Sequence, residues 1–306
     1  MLRLLVNNLK LTLSDINRIN ASTLNKISIG EAVLFRDKYF GFYEAQLNNS
    51  TTRLLFNCSD DPRCHELLYG KGFEPNSMNL AYALASQSDY FIDVGAHTGM
   101  YSLGVASANP NIKILAFEPN PLAFARLVMH ISINDLTKII TPFQFAIGQN
   151  FGEITKLSWF ASKGFGWLSS GTKTVINNGD MNQYSSLSFV MNLDRIKINS
   201  ENRCLIKIDV EGFETEVFSG APNLLNLKPN IILETFSATN VTKIKKMLSS
   251  DYRFFKIDEK NTSLNEVESL TIASISDDSF NIFLTCDAKN LIPLLQDKGF
   301  IINSLC

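Results

Sequence analysis

The stretch 91–102 constrains the fold of this chain more than any other. It reads Phe-Ile-Asp-Val-Gly-Ala-His-Thr-Gly-Met-Tyr-Ser, so an apolar run leads into Asp93 and a loop that contains Gly95 and Gly99. This order predicts a buried parallel strand, a glycine-rich turn and then a helix, the arrangement that binds a nucleotide-like ligand at the carboxyl end of a strand. Glycines suit such a turn because they adopt unusual backbone angles and let a ligand approach the main chain closely.

A second strand strengthens this interpretation. Residues 114–117 are apolar and are followed by Glu118, nineteen residues beyond the second glycine, where an acid can bind both hydroxyls of an adenosine ribose. The spacing Asp-x-Gly-x-x-x-Gly differs from the Gly-x-Gly-x-x-Gly of dinucleotide sites, because Ala96 and His97 lie between the glycines. It favours S-adenosylmethionine, which has no phosphate but carries an ammonium group that Asp93 can help to hold. The alternatives are a nicotinamide or flavin site, and an ordinary strand–turn–helix with incidental glycines.

From residue 90 onward, strand and helix patterns alternate, which predicts parallel strands covered by helices. The predicted strands are 90–94, 113–117, 140–146, 204–209, 230–234, 252–257 and 280–285. The predicted helices are 99–108, 120–134, 213–219 and 240–249. The expected fold is therefore α/β and of the Rossmann-like class I methyltransferase type. Its seven-stranded, mostly parallel sheet has helices on both faces, and the two late strands close an edge hairpin.

The chain divides into three predicted parts. Residues 1–80 lack the alternation and are expected to form an N-terminal appendage of short strands, near 27–35 and 40–47, and helices, near 61–70 and at 76–86. Residues 81–287 form the methyltransferase domain, and 288–306 a C-terminal helical tail. An insertion at about 150–190 interrupts the domain and contains Phe165, Trp167 and Ser169. A long insertion between core strands is often functional, so we expect these three residues to bind the acceptor; a surface elaboration is the alternative.

Bulk composition narrows the possible partners. The 306 residues carry a formal net charge of −2, which predicts no general attraction to nucleic acid or to an anionic membrane. The five cysteines are scattered; Cys58 and Cys64, with His65, match no standard zinc spacing. Reduced thiols, and the lack of a signal sequence or a long apolar run, predict a cytoplasmic protein without a transmembrane segment.

A second polar constellation follows the strand at 204–209. Residues 205–214 read Leu-Ile-Lys-Ile-Asp-Val-Glu-Gly-Phe-Glu, so alternation puts Lys207 and Asp209 on one face of the strand. Asp209 is expected at the carboxyl end of the strand, facing the same crevice as the acids that follow the first two strands. The alternative is that Lys207 and Asp209 form a structural pair, and that Glu214 offsets a helix dipole.

Taken together, these motifs resemble the FkbM family of S-adenosylmethionine-dependent methyltransferases over roughly residues 60–260. The matching residues are Asp93, Gly95, Ala96, Gly99 and Ser102, Phe117-Glu118-Pro119, Leu193-Asp194, Lys207, Asp209, Glu211, Gly212 and Glu214, and Phe73-Glu74-Pro75. The resemblance implies a class I fold and methyl transfer to a hydroxyl, commonly on sugars or polyketide-type metabolites. The chain departs from many relatives at His97, where they carry Asn, and at Gln149, where an acid is frequent.

Motifs and resemblance together give a set of expected site residues. Those expected to bind the cofactor are Glu74, Asp93, Gly95, Ala96, His97, Gly99, Ser102, Glu118, Pro119, Asn120, Asp209, and Ala146 and Ile147, whose backbone would line the adenine slot. Methyl transfer is an in-line displacement that depends on alignment, and a hydroxyl acceptor benefits from a base. Asp209 and His97 are the first candidates for that base, followed by Glu211, with Lys207 in the same catalytic group.

Glu234 ends the next strand and introduces a further alternative. It is expected near Asp209, where the two carboxylates could hold Mg²⁺ and lower the pKa of the acceptor hydroxyl. Otherwise Glu234, like Glu211, is expected to bind substrate.

The most favoured function is O-methylation of a sugar, glycan or small-metabolite hydroxyl. A nucleic-acid methyltransferase is a second hypothesis, although the Asn/Asp-Pro-Pro-Tyr/Phe-type signature is absent. A non-catalytic S-adenosylmethionine-binding or scaffold protein is a third, although such a protein would not need Lys207 and Asp209.

Overall fold

The computed structural model describes residues 42–47, 52–57, 64, 67, 73–162, 181–235, 237–268 and 281–305. Several predictions lie outside these residues: the strand near 27–35, most of the helix near 61–70, the Cys58 and His65 pair, and the insertion residues Phe165, Trp167 and Ser169. The predicted helix at 76–86 is observed as Pro75–Ala85.

The described strands and helices follow the predicted alternation. The strands are β1 (Phe42–Gln46), β2 (Arg53–Asn57), β3 (Tyr90–Val94), β4 (Lys113–Phe117), β5 (Ile140–Phe143), β6 (Ala146–Ile147), β7 (Ile154–Ser162), β8 (Met181–Met191), β9 (Cys204–Ile208), β10 (Asn230–Glu234), β11 (Arg253–Asp258), β12 (Ser263–Glu266), β13 (Asn281–Thr285) and β14 (Ile301–Asn303). The α-helices are α1 (Pro75–Ala85), α2 (Met100–Ala108), α3 (Pro121–Ile133), α4 (Glu214–Ser219), α5 (Pro222–Leu225), α6 (Ala238–Met247) and α7 (Ala288–Asp297), and a 3₁₀ turn spans Leu193–Arg195.

The main sheet has the strand order β14-β12-β11-β13-β10-β9-β3-β4-β5. Strands β10, β9, β3, β4 and β5 pair in parallel, whereas β13 is antiparallel to both β10 and β11. Six of the seven predicted strands and the first part of the strand predicted at 140–146 belong to this sheet, and the late antiparallel pair is confirmed. Within the described residues, the short strands β12 and β14 extend the sheet beyond the prediction. The α/β class I methyltransferase fold is confirmed.

One predicted strand was too long. The run 140–146 divides into β5, at the edge of the main sheet, and β6, which pairs with β8 in a separate three-stranded sheet with β7. The reason is a change of partner: Ala146 pairs with Val190 in β8, and its amide donates to the Ser188 hydroxyl at 3.2 Å. The apolar sequence therefore continues across two sheets.

The central strands are continuous apolar runs because helices cover both faces of the sheet. One face packs on α1, α2, α3 and α7 through residues such as Leu84, Leu103 and Leu291. The other packs on α4, α5 and α6 through residues such as Phe218 and Ile244. The helices on both faces are confirmed, and the four that were predicted in the core begin and end within about two residues of their expected limits.

The hairpin of β1 and β2 packs on the same face as α3. The amide of Asn57 donates to Nε2 of the buried His130 at 2.9 Å, and Nδ1 of that ring lies 2.8 Å from the Thr98 carbonyl. His130 therefore connects the hairpin to the glycine loop after β3. At the other end of the chain, β14 pairs in parallel with β12. Among the helices of the described segments, none combines the length and apolar character needed to cross a bilayer.

Candidate active site

Four carboxyl groups meet at one edge of the main sheet. Asp93 is the penultimate residue of β3 and Glu234 is the last residue of β10. Glu118 directly follows β4 and Asp209 directly follows β9. These strands are parallel neighbours, so their carboxyl ends share an edge. A cleft opens there, and its lining residues are Phe73, Asp93, Gly95, Ala96, His97, Met100, Tyr101, Lys207 and Asp209.

Gly95 is required by the packing of the loop after β3. Its φ is 84°, and a Cβ atom at this position would lie 1.8 Å from the carbonyl oxygen of Asp209. The amides of Gly95 and Ala96 both donate to the Phe117 carbonyl at 2.9 Å. The loop therefore lies flat between the ends of β4 and β9, and only glycine permits the close approach to the Asp209 backbone.

Asp93 is a buried acid held by a hydroxyl. The Ser102 hydroxyl donates to Asp93 Oδ2 at 2.6 Å. Burial raises the pKa of Asp93 to about 6, and the Ser102 bond and the charge of Lys207 oppose that rise. Ser102, predicted to bind the cofactor, thus contacts the acid at the base of the cleft.

Glu118 connects the glycine loop to the start of α3. Its two carboxylate oxygens accept hydrogen bonds from the amides of His97, at 2.8 Å, and Asn120, at 2.7 Å. The Asn120 side chain in turn caps α3 by accepting from the Leu122 amide at 3.0 Å, with Pro119 between the two polar residues. Burial raises the pKa of Glu118 to about 7, although the bonds from Asn120 and His97 lower it.

Lys207 lies beneath the cleft and is 1% exposed. Its Nζ is 3.9 Å from Asp209 Oδ2 and 3.9 Å from Glu234 Oε2. The same atom donates to Asn281 Oδ1 at 3.1 Å and lies 5.1 Å from the centre of the Tyr101 ring. Burial alone lowers the pKa of Lys207, but the surrounding acids, Asp209 above all, raise it beyond its ordinary value. Lys207 is therefore a buried cation.

Glu234 is the second carboxyl group beside Lys207. Burial and the charge of Asp209 raise the pKa of Glu234 to about 9, against a smaller lowering by Lys207. Asp209, whose side chain is 20% exposed, is the member of the pair that lines the cleft. The arrangement combines two partly buried carboxyl groups and one buried ammonium group.

Glu74 contacts the same cluster from the residue before α1. Its Oε2 accepts from the Tyr101 hydroxyl at 2.5 Å and from Asn281 Nδ2 at 3.0 Å. Sequence reasoning missed Tyr101 and Asn281. A signal for Asn281 was present, because a polar residue opens the apolar strand β13 and an antiparallel strand begins where its parallel neighbours end. The observed register pairs Asn281 with Glu234.

Other predicted residues lie outside the cleft lining. Glu211 is exposed on the turn after β9, with a φ of 53°. Glu214 is buried and accepts from the Gly212 amide and from Asn240 Nδ2, both at 2.7 Å. Ala146 and Ile147 form β6 in the three-stranded sheet. Gly99, with a φ of 96°, begins α2.

The predicted Mg²⁺ ligands, Asp209 and Glu234, are arranged around a lysine. In the ranges that the structure describes, no group of three or more His, Cys, Asp or Glu side chains is placed to hold a metal ion. Lys207 Nζ lies at the same 3.9 Å from both carboxyl groups. A divalent cation bound by both carboxyl groups would lie close to this ammonium group, and like charges repel.

Several known proteins are similar to this chain. Hexuronic acid methyltransferase AglP of Haloferax volcanii is 27% identical over 206 residues, covering 67% of this chain and 78% of that protein. Methyltransferase sdnD of Sordaria araneosa is 24% identical over 190 residues, covering 54% and 73%. A solved O-methyltransferase from Thermotoga maritima is 10% identical, with a TM-score of 0.35 over 76% of this chain and 88% of that one. The model of the methyltransferase FkbM domain matches residues 93–255. Because that match spans just over half of the chain, the protein belongs to the FkbM methyltransferase family.

Proposed function

We propose that this methyltransferase uses S-adenosylmethionine to methylate a hydroxyl group of a sugar or glycan. The observation that carries the proposal is the Asp209–Lys207–Glu234 cluster beside the glycine loop, because an alcohol needs a base to become a good nucleophile. The sugar class rests on the likeness to a protein named as a hexuronic acid methyltransferase. Small metabolites with free hydroxyls form the wider class of acceptors.

The residues of the cleft fit the cofactor in charge. Asp93 and Asp209 line the cleft, Glu118 lies behind its glycine loop, and burial raises the pKa of both Asp93 and Glu118. Such a site favours a ligand that carries sulfonium and ammonium charges and has a ribose diol to donate hydrogen bonds. We assign Glu118 to the ribose and Asp93 to the ammonium group. When bound, the cofactor supplies an electrophilic methyl group.

Asp209 is the proposed base. Its carboxylate is the member of the carboxyl pair that reaches the cleft, and it would accept the proton of the acceptor hydroxyl as the oxygen attacks. Lys207 Nζ lies 3.9 Å from Asp209 Oδ2, so its positive charge faces the proposed base. His97 lines the same cleft and is the second candidate for the base.

The first experiment identifies the acceptor and the atom that is methylated. Purified protein is incubated with radiolabelled S-adenosylmethionine and either free hexuronic acids or the matching neutral hexoses. A product whose label survives mild alkali is a methyl ether, as proposed. Label released by alkali is a methyl ester of the carboxyl group, which would contradict transfer to a hydroxyl. Cofactor binding without transfer to either sugar series or to fractionated small metabolites and glycans would favour the binding-protein hypothesis.

The second experiment tests Asp209. Asp209→Asn keeps the size of the side chain but removes the charge, so we expect turnover to fall by about 10²-fold or more while the Kd for S-adenosylmethionine changes little. Asp251→Asn is the matched control, because that acid is exposed and pairs with Lys228 away from the cleft. EDTA should leave the parent active if base catalysis is direct. Unchanged turnover in Asp209→Asn, or loss of activity with EDTA, would contradict the assignment.

A further inference from the structure

The burial of Lys207 raises the question of what fixes its ammonium group. A buried charge costs several kcal/mol unless it is paired and hydrogen-bonded. Its two carboxyl neighbours are each 3.9 Å away, beyond hydrogen-bond distance. The Oδ1 atom of Asn281 is at 3.1 Å and accepts a bond. The direction of the ammonium group is therefore determined by Asn281, whereas the carboxyl groups contribute charge.

Asn281 is itself held in one orientation. Lysine can only donate and an ionised carboxylate can only accept, so the amide oxygen must face Lys207 and the amide nitrogen must face Glu74. Glu74 also accepts from the Tyr101 hydroxyl, and the ring of Tyr101 packs 5.1 Å from Lys207 Nζ. The contacts close a ring of four side chains from β9, β13, α2 and the residue before α1.

We propose that Asn281, with Glu74 and Tyr101, is a positioning residue that fixes the Lys207 ammonium group between Asp209 and Glu234. The role rests on the proposed function, since Asp209 is the base that the ammonium group serves. The ring fixes one cation at equal distances from two carboxyl groups. It thereby supplies, from side chains alone, the oriented positive charge that a metal ion supplies in other transferases.

The electrostatic surroundings make the inference specific. The charged and titratable groups that face Lys207 are Asp209 after β9, Glu234 on β10, Asp93 on β3, Glu74 before α1 and Tyr101 on α2. These acids would attract the ammonium group from several directions. Without Asn281, its position would follow the strongest of these attractions. We expect it to move toward one carboxylate and leave the symmetric 3.9 Å arrangement.

The test observes the ammonium protons of Lys207 directly. In protein labelled with ¹⁵N-lysine, a buried and hydrogen-bonded NH₃⁺ group gives a ¹H–¹⁵N signal at neutral pH, because its protons exchange slowly with water. The Lys207→Arg variant, which lacks this signal, assigns it. A hydrogen bond to a charged group is worth about 10- to 100-fold in an equilibrium. We therefore expect Asn281→Leu to accelerate this exchange by about tenfold or more.

Two further variants keep the test decisive. Asn265→Leu is the matched control, since Asn265 lies in the same sheet and bonds to Asn303 and Ser263, away from the cleft; its exchange should equal the parent's. Tyr101→Phe keeps the ring beneath Lys207 but removes the bond to Glu74, and should give a smaller acceleration. If the Lys207 ammonium protons exchange at the same rate in Asn281→Leu and in Asn265→Leu, the proposal is overturned. If Asn281→Leu does not fold, the parent's exchange rate in Tyr101→Phe would overturn it instead.

The same variants separate this inference from the proposed function. The exchange measurement needs neither cofactor nor acceptor, so it can fail while the parent still transfers methyl groups, or succeed while no transfer is found. With an acceptor in hand, Asn281→Leu should lower kcat by about tenfold or more and leave the KM for S-adenosylmethionine within about threefold of the parent's. A change confined to KM would instead place Asn281 in cofactor binding.

Discussion

The carboxyl group of Glu118 links the stability of the ligand-free protein to pH. It is 5% exposed, and burial raises its pKa from the ordinary value of 4.5 to about 7. The folded protein therefore binds a proton at this site more tightly than the unfolded chain does. The stability conferred by that proton is fully present below about pH 4.5 and is lost as the pH rises to about 7.

The magnitude follows from the two pKa values. One pH unit of difference in pKa corresponds to about 1.4 kcal/mol, so the full effect is on the order of 3 kcal/mol, of which about 2 to 3 kcal/mol falls between pH 5 and pH 8. Glu118→Gln removes the titration but keeps the shape of the side chain. It also loses an acceptor for the amide of His97 or Asn120, at a cost of about 1 to 3 kcal/mol. The glutamine itself does not titrate, so the variant has no pH dependence from this position.

The assay is urea denaturation of parent and Glu118→Gln at about pH 5 and about pH 8. We expect the loss of unfolding free energy between the two pH values to be smaller in the variant by about 2 to 3 kcal/mol. Asp93 titrates in the same direction but is present in both proteins, so its contribution cancels. Glu201→Gln, at an exposed turn position, is the control and should behave as the parent. An equal loss in parent and Glu118→Gln would refute the reasoning.

Two further substitutions test the loops around the cleft. Gly95→Ala should destabilise the protein by more than Gly152→Ala. The φ angle is close to +85° at both positions, but a Cβ atom clashes with the Asp209 backbone only at Gly95. Equal losses of unfolding free energy in urea denaturation would show that this close approach is unimportant. Glu214→Gln should lower the free energy of unfolding by about 1 to 2 kcal/mol, because Glu214 bonds to the Gly212 amide and to Asn240. The Kd for S-adenosylmethionine, measured by calorimetry, should stay within about threefold of the parent's. A large loss of affinity would instead assign Glu214 to the cofactor site.

The sequence predicted the central sheet well because burial on both faces makes each parallel strand a continuous apolar run. It missed β12, Ser-Leu-Asn-Glu, because this strand is short and mostly polar, and it missed β14 because that strand is only three residues long. It also merged β5 and β6, because hydrophobicity continues across residues 140–147 while the pairing partner changes. Local patterns specify which residues are extended, but the choice of sheet depends on distant strands.

The same distinction applies to the site. The acids at the ends of β3, β4, β9 and β10 could be found from the sequence, since parallel strands bring their carboxyl ends to one edge. The predicted strand 280–285 contains Asn281, but its two hydrogen-bond partners, Lys207 and Glu74, could not be assigned from the pattern. The place of Asn281 depends on β13 being antiparallel and in register with β10. Tyr101 lies inside the glycine-loop motif, but its contacts join separate elements.

Ligand binding explains why a stable fold would retain buried acids whose ionisation is unfavourable. Desolvation raises the pKa values of Asp93, Glu118 and Glu234, so ionising them weakens the folded protein as the pH rises. A ligand with cationic groups and a ribose diol would stabilise the ionised forms, and a ligand that binds only the folded state adds stability by mass action. A positively charged cofactor would offset the cost of the buried ionised acids, whereas a neutral ligand would not, so the site would bind the charged ligand more tightly. Lys207 adds a positive charge 3.9 Å from Asp209, the proposed base, and that charge also opposes the rise in the pKa of Asp93.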